Sequence, residues 1–178
     1  IKENQWVVDK IEDFSDVPCF HMLTNEGTLV IWEKLDRLIG NGQKVDSDFF
    51  KEKILEAANY LSLVFHRYLE GEPFTKKVSI NVNGNALSPR DPFCTENKAT
   101  QIGEIEVIPY MDNEISIQRF VLPHKDKFSR IRDFESLGGE EGFIKNQGFY
   151  VYRAKRLVQY GTWFGLARQA ELTKLSRV

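Results

Sequence analysis

Arg153, Lys155 and Arg156 place three cations within four residues, between two runs rich in aromatic and β-branched side chains, 149–152 and 157–160. Clustered Lys and Arg on a projecting loop form the electrostatic footprint of phosphate or nucleic-acid contact, and plain solvent exposure is the competing account. The other residues equipped for chemistry are sparser. Cys19 and His21 offer two metal-type ligands, whereas zinc takes four, or three and a water. His66 falls in a helical stretch and His124 in a loop, neither with a paired ligand, so no metal site is expected. Ser, His and Asp all occur, but no Gly-x-Ser-x-Gly elbow does, which leaves acyl transfer unsupported and no catalytic residue assigned. Lys125, Lys127, Arg130 and Arg132 are interrupted by Asp126 and Asp133 and read as a solvated face.

These residues must be held by a folded chain, and the composition allows one. With 42% hydrophobic and 12% aromatic residues, 178 residues can bury a core and are not a disordered composition. The 24 basic and 26 acidic residues leave a net charge of −2, so no global field points to nucleic acid or membrane. No apolar run approaches the ~20 residues of a membrane helix. Two distant cysteines, Cys19 and Cys94, form no disulfide framework and suit a reducing cytosol. The first residues include neither an initiator Met nor a signal peptide.

The elements follow from spacing. Residues 6–11 and 27–32 are strand-like, the second strongly so, and a strand at the very start reads as a chain that begins inside a domain. The loop at 40–46 is the best boundary. Asp46 or Ser47 then caps a helix, with Asp48 in its first turn. Phe50, Ile54, Ala57, Leu61, Val64, Phe65 and Tyr68 recur on one stripe whose burial should contribute on the order of 10 kcal/mol gross. Gly71 supplies the stop.

Beyond it, residues 77–83 alternate Val78, Ile80 and Val82 inward and end in Asn83-Gly84, a strong hairpin signal. Residues 101–109 and 114–122 pair around Met111-Asp-Asn, and Pro123 closes them. A short helix is expected at 126–137. The cationic hairpin comes next, with Phe149 and Val151 on one face and Tyr150 and Tyr152 on the other. Its three cations project from the tip. Ala154-Lys155 suits a primed two-residue turn poorly, so a four-residue loop is predicted. Trp163 and Phe164 read as core, 165–176 as a last helix, and Arg177-Val178 as the start of a further strand.

Glu26-Gly-Thr-Leu-Val-Ile-Trp-Glu-Lys-Leu-Asp-Arg-Leu resembles the last nucleotide motif of the GHKL ATPases, the superfamily of MutL, the MORC proteins, gyrase B and histidine kinases. The long helix, Phe65-His-Arg-Tyr-Leu, Ile80-Asn-Val-Asn-Gly, Asp91-Pro-Phe, Val121-Leu-Pro-His and Gly148-Phe-Tyr-Val-Tyr-Arg follow in the order of bacterial MutL/MORC-like ATP-binding proteins. The resemblance covers most of the chain from Gly27 onward.

It implies residues 1–45 as closing strands of a nucleotide-binding domain, with Gly27 and Thr28 at the adenine pocket. Residues 46–178 become the transducer domain, truncated at its end. That domain is an α+β two-layer sandwich, a mixed sheet with helices on one face and a left-handed βαβ crossover, an exception to the usual hand. The parent would bind ATP and Mg²⁺, couple them to conformational change in DNA repair, restriction or chromosome handling, and work in the cytoplasm. Its partners would be the upstream ATPase domain, a second copy in a homodimer, and possible DNA, with no membrane. The Glu-x-x-x-Asn, Asp-x-Gly and glycine-rich lid are missing from these residues, and Glu56-Ala-Ala-Asn59 has the wrong spacing. No bound nucleotide and no hydrolysis are therefore expected of this stretch alone. The rival reading is a self-contained nucleic-acid-binding or protein-docking α+β module without an ATPase connection.

Overall fold

In the computed structural model, residues 12–23, 26–33, 47–138 and 146–166 are described. The chain divides into two units, Ile1–Asp46 and Ser47–Val178.

In the first unit the Asp13 side chain accepts the N–H of Ser15, and the rings of Phe14 and Phe20 stack at 5.1 Å ahead of a 3₁₀ turn, Phe20–Met22. The strand expected at 27–32 does not form. Among the described residues they join no ladder, and Val30 and Trp32 are 69% and 77% exposed. Their β propensity expresses a fit to a pleated, half-buried surface, and without a buried face it specifies nothing. The expected strand at 6–11 lies outside the described residues.

The second unit opens with α1, Ser47–Val64, in which Asp48 pairs with Lys51 at 2.9 Å. At Phe65 (φ −107°, ψ 16°) the helical run breaks, and α2, His66–Glu70, continues it to a left-handed Gly71 at φ 78°. The predicted stop is therefore where the chain turns. Of the predicted stripe only Val64 is buried, at 1% exposed: Ile54, Leu61, Phe65 and Tyr68 are half-buried, Phe50 is 43% exposed and Ala57 faces solvent, while Leu63 and Leu69, outside the stripe, are buried beside Val64. The gross burial energy expected of a whole stripe is correspondingly overstated.

Asn83-Gly84, both with positive φ, turn β1 (Asn81–Val82) into β2 (Asn85–Ala86), as a primed turn requires. Next comes a long hairpin in two stretches. β3 (Gln101–Ile102) pairs with β6 (Phe120–Val121), and β4 (Glu106–Tyr110) pairs with β5 (Asn113–Ile117) through Met111-Asp112. Between them residues 103–105 oppose only 118–119, so one extra residue bulges the first strand. Every residue of β4 and β5 is exposed.

The expected short helix is α3, Ile131–Gly138, preceded by a 3₁₀ turn at Lys125–Lys127. The last hairpin pairs β7 (Phe149–Arg153) with β8 (Arg156–Thr162), irregularly around Val151. The helix expected at 165–176 lies outside the described residues, apart from a turn in which the N–H of Leu166 reaches the carbonyl of Trp163.

The chain is thus α+β. Among the described residues every ladder is antiparallel and two-stranded. Within the second unit, the buried residues Leu63, Val64, His66, Leu69 and Leu157 lie where α1 and α2 end and on β8. Among the described residues, no helix is long and apolar enough to cross a membrane.

Candidate functional site under the last hairpin

The tip of β7–β8 is a two-residue turn, with Arg153 paired directly to Arg156 and both Ala154 (φ 47°) and Lys155 (φ 66°) left-handed. This corrects the four-residue loop predicted from turn chemistry. Left-handed backbone costs an L-residue roughly 1–2 kcal/mol, and contacts from distant sequence offset it here. The Tyr68 hydroxyl donates to the carbonyl of Ala154, and Lys155 Nζ donates to Glu72 Oε2 at 3.0 Å. Tertiary contact overrides local preference.

The three cations consequently do not all project freely. Lys155 is held by Glu72, the guanidinium of Arg156 sits 5.4 Å from the ring centre of Phe65, and Arg153 is exposed. Gly27 and Thr28 fall in the other unit. Gly27 has φ 144°, and the Thr28 residue is exposed.

Inward from the tip, α2 and β7 meet through polar side chains. His66 is 2% exposed, and its Nε2 lies 2.9 Å from the Tyr152 hydroxyl. A helix turn later Glu70 brings Oε1 to 3.9 Å from His66 Nδ1, too far for a hydrogen bond, and Nδ1 is left without a partner. Arg67 lays its guanidinium 3.9 Å from the centre of the Tyr152 ring, and its Nε comes within 3.4 Å of Glu72 Oε1. Glu72 therefore bridges two cations, one from the helix and one from the hairpin.

Asp91 closes the arrangement. Its carboxylate accepts the N–H of Phe93 at 2.9 Å, and the N–H and hydroxyl of Thr95 at 2.7 and 2.6 Å, three hydrogen bonds from its own loop. That loop presents Phe93, which stacks on Phe120 at 4.2 Å and meets Tyr150 edge-on at 5.1 Å. The N–H of Arg90 reaches the carbonyl of Ser62 at 3.1 Å and docks the loop on α1.

Between these groups lies a cleft of about 180 Å³, walled by His66, Arg67, Glu70, Glu72, Asp91, Phe93, Thr95, Ile102, Gln118 and Phe120. Burial lowers the pKa of His66, against a smaller opposing pull from Asp91, so the ring is neutral at neutral pH. Burial likewise raises Glu70, helped by Asp91, Glu72 and Glu96 and opposed by Arg67, to about 7. The Tyr152 hydroxyl is pushed up by burial and stays protonated. The cleft therefore couples a carboxyl that titrates near neutrality to a neutral imidazole, the pairing that accepts a proton or a cationic donor.

Among the described residues, no three His, Cys, Asp or Glu are grouped to hold a metal. Cys19 is exposed, and the thiol of Cys94 is raised chiefly by burial.

By sequence alone His66 is an unpaired residue on a helix, and Glu70, Glu72, Arg67 and Tyr152 are not singled out as site residues. The four-residue step from His66 to Glu70 is the one signal that could have found them. The partner Tyr152 stands 86 residues away, beyond any local pattern. The chain matches no family model, and no curated protein or solved structure matches it.

Proposed function

We propose that the chain is the coupling portion of a GHKL-type, MutL- or MORC-like ATPase, with residues 1–45 finishing a nucleotide-binding domain and 46–178 forming the transducer. The observation that carries the reading is the latch between hairpin and helix. Lys155 of the tip is ion-paired to Glu72, Tyr68 holds the turn carbonyl, and Tyr152 meets His66. Bound at its tip to the end of α2, the hairpin moves with that helix, as an element relaying a neighbouring domain's state must. The sequence resemblance supplies the identity of that neighbour.

On this proposal the upstream domain of the same chain holds ATP and Mg²⁺, and Gly27-Thr28 completes its adenine pocket. Closure brings two copies together in the cytoplasm, acting on DNA in repair, restriction or chromosome handling. The finer architecture, a two-layer sandwich with a left-handed βαβ crossover, belongs to the same proposal. The pairing of Lys155 with Glu72 and the placement of Arg156 over the Phe65 ring favour coupling over a direct phosphate grip.

Hydrogen exchange on a chain that carries the proposed upstream domain tests this. Amides of β7–β8 and α2 should change protection together between ATP-analogue and ADP states. A hairpin indifferent to nucleotide in a protein that hydrolyses ATP excludes the coupling role. An upstream coding sequence without Glu-x-x-x-Asn and Asp-x-Gly excludes the superfamily.

A further inference from the structure

The cleft beneath the hairpin has a charge arrangement that the coupling reading does not use. Three carboxylates, Glu70, Glu72 and Asp91, line it. Glu72 is engaged by Arg67 and Lys155, and Asp91 by the backbone and hydroxyl of its own loop. Glu70 has no cationic partner among the described residues, since the neighbouring His66 is neutral. Beside it is a second unsatisfied group: His66 Nδ1, on a side chain 2% exposed and walling the same cleft. A buried polar atom without a partner is destabilising, and its position marks where a ligand atom restores a hydrogen bond.

We propose that this cleft binds a primary alkylammonium group, held between Glu70 and Nδ1 of His66, with Phe93 and Phe120 as its apolar wall. The inference stands independently of the ATPase reading. The two acceptors lie 3.9 Å apart, so one nitrogen can sit at about 2.9 Å from both. In the tautomer whose Nε2–H donates to the Tyr152 hydroxyl, Nδ1 is the bare acceptor nitrogen, and an ammonium has three protons to offer. The stacked Phe93 and Phe120 rings receive the alkyl chain.

At about 180 Å³ the cleft is smaller than the roughly 300–1,000 Å³ of drug-sized sites and suits a short chain or the end of one side chain. The ammonium therefore comes from a free small amine or from a lysine of a partner. A metal ion is a poorer fit, because among the described residues no three ligand side chains are grouped to hold one.

The charged surroundings set the pH dependence. Asp91, Glu72 and Glu96 raise Glu70, Arg67 opposes them, and Lys155 is engaged with Glu72. Because Glu70 titrates at about 7, the fraction able to bind a cation falls about tenfold between pH 8 and pH 6.

The test is a ¹H–¹⁵N NMR titration of the full chain with n-butylammonium chloride at constant ionic strength, with n-butanol as the neutral probe. Saturable shifts at the amides of Glu70, Phe93 and Thr95 are expected for the amine and not for the alcohol. Affinity should drop about tenfold from pH 8 to 6. Glu70→Gln should weaken binding at least tenfold while leaving the circular dichroism spectrum unchanged. If that variant fails to fold, the pH arm on the natural chain decides. A parallel titration with N-acetyl-lysine N-methylamide separates the sources: binding of the blocked lysine points to a partner's side chain, and binding of the small amine alone to a metabolite. Equal binding of butanol, a pH-independent affinity, undiminished binding by the Gln variant, or no shifts at tens of millimolar amine each overturns the proposal.

Discussion

Glu72 Oε2 accepts a hydrogen bond from Lys155 Nζ at 3.0 Å across 83 residues of chain, and this joins the hairpin turn to the segment after α2. The Lys155 side chain is 41% exposed, so solvent screens the pair. A double-mutant cycle with Glu72→Ala and Lys155→Ala should give a coupling of about 0.5 kcal/mol, as expected for a partly exposed pair. The turn itself offers more. Ala154 at φ 47° lies in a region that Asn tolerates better, so Ala154→Asn should stabilise by several tenths of a kcal/mol. Chemical denaturation measures both, and a destabilised Asn variant would contradict the left-handed turn.

Gly148 precedes the same hairpin at φ 128°, and a Cβ there would lie 2.6 Å from the Thr162 carbonyl oxygen. That atom is backbone in a paired strand and cannot swing aside. Gly148→Ala should therefore cost more than about 2 kcal/mol, through strain and displacement of β8 together. A melting temperature within a degree of the natural chain's would mean that the two strands do not approach as described.

Burial differs among the leucines of the helices and the last hairpin. Leu157 is 2% and Leu69 5% exposed, whereas Leu61 is half-buried. Leu157→Ala and Leu69→Ala should each cost roughly 2–5 kcal/mol, with Leu61→Ala at or below the low end. Denaturation midpoints that rank Leu61 above both buried leucines would place the core elsewhere along α1.

Glu70 and His66 act oppositely with pH. The folded-state pKa of Glu70 is raised from 4.5 to about 7, so the native state holds more protons than the unfolded chain between those values. Its contribution to stability is fully present below pH 4.5 and is lost as pH rises through 7. His66 is lowered from 6.5, chiefly by burial, so its contribution is present above 6.5 and is lost as pH falls through the folded value. Glu70→Gln should therefore gain stability relative to the natural chain as pH rises from 4.5 to 8. Unfolding free energies at four pH values settle the sign, and a difference independent of pH would mean Glu70 is not perturbed.

Replacing Arg153, Lys155 and Arg156 together with Ala should leave duplex-DNA affinity and its salt slope unchanged, because Lys155 is ion-paired to Glu72 and Arg156 lies over the Phe65 ring. Were these cations gripping phosphates, removing each one would flatten the slope by about 0.9 log unit of affinity per log unit of salt. Filter binding at two salt concentrations distinguishes the outcomes, and a flattened slope would restore the hairpin to a nucleic-acid account.

Local chemistry by itself determined the parts of this protein whose causes lie within a few residues. Asn83-Gly84 turns the chain because both residues accept positive φ, Gly71 ends the helical run for the same reason, the turn at Met111-Asp112 and an aromatic, β-branched run located the β4–β5 hairpin and β7, and 3.6-residue spacing located α1. Tertiary structure decided what depends on partners far along the chain. It closed Ala154-Lys155 into a tight turn against its own preference, through Tyr68 and Glu72. Among the described residues it gave 27–32 no ladder, and strand propensity acts only through a neighbouring strand. It also buried His66 against Tyr152 and beside Glu70, under a loop held by Asp91. Burial and electric field arise only when distant segments converge, so a carboxyl that titrates near 7 has no signature in the order of its neighbours.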